Sequence, residues 1–189
     1  MRTLIFLLCA SVADARTITL FDGKSLRGWD IRPTSDPNVK GDWKVENGAL
    51  VCGGSVPSWI STTDTFSDFR LTLEFRGAAQ VNSGVFLRSQ KDGQPHITGY
   101  ELQIWDYQPQ GYLTGSLVNS LKAEPVKILA NEWNKYDVTV TGDHFVVILN
   151  GKKVLDGRDA KHSSGVIGFQ CQKEQRIEFR DIKIQRIKE

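Results

Sequence analysis

The feature that most constrains this chain is a repeated alternation of apolar and polar residues with a period of two. In segment 69–76 the odd-numbered positions hold phenylalanine or leucine, and the even-numbered positions hold arginine, threonine or glutamate. Segments 100–104, 136–141 and 176–184 largely follow the same pattern. Because successive side chains of a β-strand point to opposite faces of a sheet, each segment is predicted to be a strand with one buried face.

The turns between these segments favour an all-β domain. Asn150-Gly151, a strong hairpin signal, joins the segments 145–149 and 152–155. No segment keeps apolar residues at helical spacing over about a dozen positions. Many short strands without long helices predict two packed antiparallel sheets. Because the chain has no repeat, low-complexity tract or linker, we predict a single domain over residues 17–189.

The first fifteen residues have the pattern of a secretory signal peptide. Arg2 precedes an apolar run at 4–10, and Ala13-Asp14-Ala15 is typical of a cleavage site. The apolar run is shorter than the ~20 residues that span a bilayer. We therefore predict that segment 1–15 is removed and that the protein is exported to the periplasm or the extracellular space, with no membrane attachment after cleavage. A buried first strand is the alternative interpretation.

Composition and motifs exclude several classes of function. Lysine and arginine number 24 against 22 aspartate and glutamate, a net charge of +2 with no basic run for nucleic acid. The chain has no phosphate-binding GxxxxGK(S/T) or GxGxxG motif and no GxSxG nucleophile motif. Nucleotide-binding and α/β-hydrolase functions are therefore set aside.

The cysteines and histidines give little sign of a metal site. Removal of the signal segment leaves Cys52 and Cys171, which are widely separated in sequence. An oxidising compartment permits a disulfide between them, and two buried thiols are an equal alternative. His96, His144 and His162 have no metal-ligand spacing. The sequence predicts no particular metal site and no evident cofactor, and it leaves the use of a divalent metal open.

Several motifs, taken in order along the chain, resemble those of the 3-keto-disaccharide hydrolase domain family. The matching segments are LFDGKSLRGW at 20–29, FRLTLEFR at 69–76, NSGVFLR at 82–88, GYELQIWD at 99–106 and GFQ at 168–170. Together they extend from residue 20 to residue 170, across most of the chain after the signal segment. The resemblance implies a concanavalin A-like jelly-roll β-sandwich and an exported hydrolase, with a 3-keto-glycoside or a related carbohydrate as its substrate.

The chain departs from this family at one position. Members often have a histidine just after the segment equivalent to 168–170, where this chain continues with Cys171, Gln172 and Lys173. The departure motivates a second hypothesis, a carbohydrate-binding module without catalytic activity. A third hypothesis, a cell-surface adhesion or structural sandwich, requires only the fold.

The chemistry of a 3-keto sugar defines which groups a cleaving site needs. The carbonyl acidifies the C2 hydrogen, and the glycosidic oxygen on C1 is then a leaving group. The site therefore needs a base, a positive group near the enolate oxygen, and an acid for the leaving oxygen. We assign the base to Glu101 or Asp106 and the enolate-side charge to Arg88, with Gln103 and Gln170 as hydrogen-bonding groups that orient the substrate.

Strand geometry predicts which of these groups can meet. Glu101 and Gln103 share one face of their strand, whereas Asp106 joins them only if a bulge follows Ile104. Because carboxylates are rarely buried without a partner, a functional role is favoured for Glu101. Glu74 is a candidate second carboxylate if its strand neighbours that of Glu101.

Each of these residues also has a structural interpretation. Glu74 and Arg88 can pair across adjacent strands, Asp106 can be a turn residue, and Gln170 can face outward from an ordinary strand. Asn82 is a further substrate-binding candidate, although segment 82–84 can equally be a tight start to a strand.

The five tryptophans divide into two predicted groups. Trp29, Trp43 and Trp133 occupy hydrophobic contexts and are predicted to lie in the core. Trp59 and Trp105 flank the polar face of Glu101 and are candidates for stacking on a sugar ring, with core packing as their alternative.

Overall fold

The computed structural model describes residues 16–33, 38 and 40–187. The predicted signal segment 1–15 lies outside the described residues. Within them the chain forms thirteen strands and one short helix. The strands are β1 (Thr17–Thr19), β2 (Trp29–Pro33), β3 (Lys44–Glu46), β4 (Ala49–Cys52), β5 (Ser58–Thr62), β6 (Phe69–Gly77), β7 (Ser83–Ser89), β8 (Tyr100–Ile104), β9 (Asn134–Thr141), β10 (His144–Leu149), β11 (Lys152–Arg158), β12 (Val166–Cys171) and β13 (Ile177–Arg186). The helix α1 (Pro95–Thr98) lies between β7 and β8.

The strands form two antiparallel sheets, which confirms the predicted all-β sandwich. The eight-stranded sheet has the order β11-β10-β9-β6-β13-β4-β3, and β1 pairs with β13. The five-stranded sheet has the order β2-β5-β12-β7-β8. No helix among the described residues is long and apolar enough to cross a membrane.

The core lies between the inward faces of the two sheets. The alternation in β6 buries Phe69, Leu71, Leu73 and Phe75, as the period of two predicts. Aromatic rings bridge the sheets, because Phe169 of β12 stacks on Phe179 of β13 with ring centroids 4.2 Å apart.

Two of the three tryptophans predicted for the core are found there. Trp29 stacks on Phe169 and Trp43 stacks on Phe179, and both indoles are buried. The prediction for Trp133 was wrong. Trp133 is half-buried, and the guanidinium groups of Arg76 and Arg180 lie 4.6 and 3.9 Å from its ring centroid, so that it packs among charged side chains.

A disulfide joins the two sheets. Cys52 ends β4 of the eight-stranded sheet, Cys171 ends β12 of the five-stranded sheet, and their sulfur atoms are bonded. Of the two alternatives open from the sequence, the structure has the bridge. The bridge constrains the unfolded chain over a long loop, an effect worth about 2–4 kcal/mol in typical proteins.

Candidate active site

The outer face of the five-stranded sheet gathers the polar residues that the sequence singled out. Glu101 lies opposite Phe86 across the β7–β8 pair, and Gln103 lies opposite Gly84. Gln170 lies opposite Trp59 across the β12–β5 pair. The strand residues that alternate with them belong to the central core, so these side chains point to the other side of the sheet. We call this surface, around Glu101, Gln103, Gln170, Phe86 and Trp59, the site face.

Two glycines let large side chains lie flat on the site face. A Cβ atom at Gly84 would lie 2.8 Å from Oε1 of Glu101, so the carboxylate occupies the space above that glycine. A Cβ atom at Gly168 would lie 2.9 Å from Cε3 of Trp59. Glycine is therefore required at both positions for close approach to the backbone. The carboxylate of Glu101 crosses β7 in this way and reaches Gln170 on β12.

Glu101 is a buried carboxyl group that has no cationic partner in the described part of the chain. Its exposed fraction is 8%, and among the described residues no lysine or arginine forms an ion pair with it. Burial raises the pKa of Glu101 to about 7, and a hydrogen bond from the side chain of Gln170 opposes this rise. At neutral pH both the charged and the neutral form of the Glu101 carboxyl group are therefore populated, which suits a residue that both accepts and returns a proton.

Gln170 has spare hydrogen-bonding capacity beside this carboxyl group. Its Oε1 atom is buried and has no hydrogen-bond partner among the described residues. A buried acceptor without a partner is unfavourable in the unliganded protein, and a ligand hydroxyl would satisfy it. Gln103, by contrast, is turned back on its own strand, because its Oε1 accepts a hydrogen bond from the backbone N–H of Ile104 at 3.1 Å.

A small pocket opens between the site face and helix α1. Its volume is about 220 Å³. The sheet side of the pocket is formed by Phe86 and Gln170, and the helix side by Pro95 and His96. The remaining lining residues are Pro57, Gln94, Cys171 and Gln172. The pocket is smaller than the roughly 300–1,000 Å³ of sites for drug-sized ligands, which suits a single ring.

The predicted stacking role of Trp59 does not fit its position. Trp59 is 1% exposed, its ring meets Phe86 edge to face at 5.6 Å, and the guanidinium of Arg32 lies 5.6 Å from its centroid. These neighbours leave the indole no open face for a sugar, so Trp59 packs within the site face and supports Phe86. Trp105 directly follows β8 and is half-buried, and Asn82 directly precedes β7 and is half-buried. Both stay substrate-binding candidates at the ends of the site-face strands.

Arg88 is not on the site face. The register of β7 against β12 shifts between the Gly168–Phe86 and Val166–Ser89 pairs, which leaves one extra residue in β7. Arg88 adopts a positive φ of 56° at this bulge and turns away. Its 1%-exposed guanidinium then serves as a structural group that holds loops at one end of the sandwich. The partners of Arg88 are the carbonyl oxygens of Ser67, Gly142 and His162 and the carboxylate of Asp68.

Asp106 is also occupied elsewhere. Strand β8 ends at Ile104, and the carboxylate of Asp106 accepts hydrogen bonds from the Thr114 hydroxyl at 2.5 Å and the Ile128 backbone N–H at 3.0 Å. These bonds clamp the long loop that follows β8. Asp106 thus has the structural role that its alternative interpretation described.

Glu74 lies on the other side of the molecule. Its strand β6 belongs to the eight-stranded sheet and does not neighbour β8. The carboxylate of Glu74 accepts a hydrogen bond from Nε of Arg180 at 2.7 Å, and Arg88 pairs instead with Asp68. Neither the second-carboxylate role nor the expected Glu74–Arg88 pair is found.

The structure adds two residues to the site that the sequence analysis missed. In the sequence, Phe86 stands out only as part of the motif at 82–88, and His96 has no metal-ligand spacing to the other histidines. A signal for His96 was present, because it comes five residues before Glu101 in a short connection between neighbouring strands. Such a connection must stay close to both strands that it joins.

One group of potential metal ligands occurs among the described residues. Asp42, Cys52 and Cys171 have ligand atoms within 4.8 Å of one another. The disulfide uses both sulfur atoms, so these cysteines cannot act as thiolate ligands while it is intact.

The described residues form a lectin-like jelly-roll sandwich that carries a buried carboxyl group on the outer face of its five-stranded sheet. Residues 16–185 match the family described as the 3-keto-alpha-glucoside-1,2-lyase-like domain, and the chain belongs to this family. This match confirms the family resemblance seen in the sequence.

Similar proteins agree with this assignment. The chain is 28% identical over 168 residues to the 3-keto-disaccharide hydrolase of Bacteroides thetaiotaomicron, an alignment that covers 74% of this chain and 57% of that relative. The chain thus spans little more than half the length of that protein. A candidate glycosyl hydrolase from Parabacteroides distasonis has a similar structure, with a TM-score of 0.77 at 24% identity over 91% of this chain and 94% of the other.

The fold is shared with binding modules as well as with hydrolases. The carbohydrate-binding module CBM66 of Bacillus subtilis matches with a TM-score of 0.64 at 19% identity, covering 84% of this chain and 95% of the module. At this identity the likeness concerns the fold alone. It confirms the jelly-roll architecture and leaves function to be argued from the site.

Proposed function

We propose that this protein cleaves 3-keto-glycosides and that Glu101 is the proton-transferring group. The observation that carries the proposal is the burial of Glu101 on the site face beside Oε1 of Gln170, where the described residues supply neither an ion pair to the carboxylate nor a hydrogen bond to that oxygen. A carboxylate kept in this state is unfavourable for stability, and such groups cluster at functional sites. Family membership and the hydrolase relative support the choice of substrate.

The proposed reaction is an elimination followed by hydration. The Glu101 carboxylate takes the proton from C2, whose acidity comes from the C3 carbonyl. The C2–H electron pair forms a C1=C2 double bond, the C1–O bond breaks, and an acid of the site protonates the departing oxygen so that it leaves as an alcohol. Water then adds across the double bond: its hydroxide goes to C1, its proton returns to that acid, and the Glu101 proton goes to C2. The net result is hydrolysis, and Glu101 returns to its starting form.

Gln170 supplies recognition in this scheme. Its buried Oε1 accepts a hydrogen bond from a substrate hydroxyl, while its side chain keeps its hydrogen bond to the Glu101 carboxylate. This arrangement would fix the sugar relative to the base, and such positioning is a large part of enzymatic rate enhancement. Because Arg88 and Asp106 are held elsewhere, they have no part in the scheme.

The direct test is release of the alcohol from a 3-keto-glucoside by the unaltered protein and by Glu101→Gln. Loss of a general base typically lowers turnover by about 10²–10⁴-fold, and we expect a loss in this range for the glutamine variant. Glu74→Gln is the matched control, because Glu74 is a strand carboxylate on the outer face of the other sheet. Full turnover by Glu101→Gln would overturn the proposal.

The alternative, a carbohydrate-binding module without catalytic activity, draws on the fold shared with CBM66. It predicts that the unaltered protein binds the 3-keto-glucoside and releases no alcohol. Binding measured by calorimetry beside the release assay separates the two functions.

We also propose that the protein is exported after removal of segment 1–15. The Cys52–Cys171 disulfide supports an oxidising compartment, where such bridges persist. N-terminal sequencing of the mature protein checks this proposal, with Arg16 expected as the first residue and Met1 as the contradicting result.

A further inference from the structure

The pocket beside helix α1 adjoins Glu101 through two shared residues. Phe86 and Gln170 form its sheet side, and both are neighbours of Glu101. Phe86 is the direct cross-strand neighbour of Glu101, and Gln170 forms a side-chain hydrogen bond with it. A glycoside bound over these two residues would therefore have Glu101 on one side and helix α1 on the other.

Helix α1 is held firmly against the sheet. The hydroxyl of Ser89 on β7 donates a hydrogen bond to the carbonyl oxygen of Pro95 at 2.8 Å. At the end of the helix, Gly99 approaches Ser89 so closely that a Cβ atom there would lie 2.3 Å from the Ser89 hydroxyl oxygen. His96 is thus carried on a segment fixed at both ends, although its own side chain is exposed.

The pocket lining combines apolar walls with groups that form hydrogen bonds. Pro57, Phe86 and Pro95 contribute apolar residues to the lining, and Gln94 and Gln172 contribute residues with side-chain amides. This combination suits a ring that has an apolar face and hydroxyl groups at its edge, as a sugar has. The volume of about 220 Å³ admits one such ring.

His96 is the titratable side chain of this lining, since Cys171 is held in the disulfide. An imidazole can donate or accept a proton near neutral pH, which makes histidine the most frequent general acid or base in enzymes. The elimination at C1 needs such a group, because the proton removed by Glu101 comes from C2 and the departing oxygen needs a second proton.

We infer that this pocket receives the leaving group of the 3-keto-glycoside and that His96 donates the proton to the glycosidic oxygen. The inference rests on the proposed function. As the C1–O bond breaks, its electron pair passes to the oxygen, which takes the proton of the imidazolium and leaves as an alcohol. In the hydration step the neutral imidazole takes a proton from water while the hydroxide adds to C1, so His96 is regenerated. The leaving group is a single hydroxyl-bearing ring, either a sugar or a phenol.

Two substrates with different leaving groups test this role. A sugar alcohol is a poor leaving group that needs protonation, whereas 4-nitrophenolate leaves readily without it. For His96→Gln we expect kcat/KM to fall about 100-fold on a 3-keto-disaccharide and less than about fivefold on 4-nitrophenyl 3-keto-glucoside. His144→Gln is the matched control, because His144 lies on the eight-stranded sheet in contact with Asp156.

The outcomes separate this inference from the proposed function. Equal kcat/KM for His96→Gln and the unaltered protein on both substrates would overturn the role of His96 and leave Glu101 in place. Losses of equal size on both substrates would indicate a positioning effect and overturn the proton-donor role. If the unaltered protein releases neither alcohol, the proposed function fails and this inference falls with it.

Discussion

The outer faces of the two sheets differ in how their charged side chains are solvated and paired. On the eight-stranded sheet the polar positions of β6 carry paired charges, with Arg70 bound to Asp137, Glu74 to Arg180 and Arg76 to Glu178. On the five-stranded sheet Glu101 is buried beside amides and aromatic rings without an ion pair among the described residues. Both faces come from the same alternation of apolar and polar residues, so the pattern by itself does not distinguish them.

The difference shows where function has to be sought on such a sandwich. Exposed ion pairs contribute little to stability and are typical of a solvated surface. Desolvation destabilises the charged form of a carboxyl group. A buried carboxyl group without an ion pair is therefore a candidate for a functional role. The environment of a carboxylate, more than its presence on a strand, therefore marks the candidate active site.

The largest expected effect is a difference in how stability depends on pH. The folded protein holds the Glu101 proton with a pKa of about 7, against an ordinary value of 4.5. The stabilisation from protonation is therefore complete below the lower value and lost as the pH rises through the higher one. Relative to the unaltered protein, Glu101→Gln should gain about 3 kcal/mol in free energy of unfolding between about pH 4.5 and 8.5.

Urea unfolding of both proteins across this pH range measures the effect. If the variant loses the hydrogen bond to Gln170, its free energy of unfolding changes by the same amount at every pH. This change therefore does not affect how the difference between the two proteins varies with pH. If the two stability curves run parallel, Glu101 is as well solvated as the charges of the other sheet, and the contrast between the faces disappears.

A second prediction concerns the glycine beneath Glu101. In Gly84→Ala the new methyl group would meet Oε1 of Glu101 at 2.8 Å and displace the carboxylate from its position over β7. Since a small misplacement of a catalytic group is costly, we expect turnover of a 3-keto-glucoside to fall about tenfold. Gly157→Ala is the matched control, because its methyl group would meet Cδ1 of Leu121 at 2.9 Å on the eight-stranded sheet.

The turnover of these two variants should differ although their packing changes are similar. Equal turnover in Gly84→Ala and Gly157→Ala would show that the position of the Glu101 carboxylate is unimportant. Thermal unfolding of both variants shows whether a change in activity merely follows a change in stability.

The sequence predicts the local parts of this arrangement well. Alternation placed Glu101 and Gln103 on one face of a strand, and the chain folds into antiparallel sheets as expected. These features depend on neighbours within a few residues, and the period of two determines them directly.

Features that depend on distant contacts could not be read from the pattern. By its position in β7, Arg88 should point to the same face as Phe86, but a bulge directs its side chain towards one end of the sandwich. Glu74 has the right residue type and strand pattern, but the order of strands places it on the other sheet. Trp59 has the polar-face parity, but Phe86 and Arg32 cover its ring. The bulge, the strand order and the covering contacts all arise from tertiary structure.

The smallest effect is expected on the face of the eight-stranded sheet. Glu74 and Arg180 form an ion pair at 2.7 Å, with side chains 25% and 40% exposed. Arg180 also packs on Trp133, so Arg180→Gln alone removes two interactions, and a double-mutant cycle with Glu74→Gln isolates the pair. The coupling free energy from urea unfolding should be about 0.2–1 kcal/mol. A coupling above about 2 kcal/mol would mean that these charges are effectively desolvated, and the contrast between the outer faces of the two sheets would then be lost.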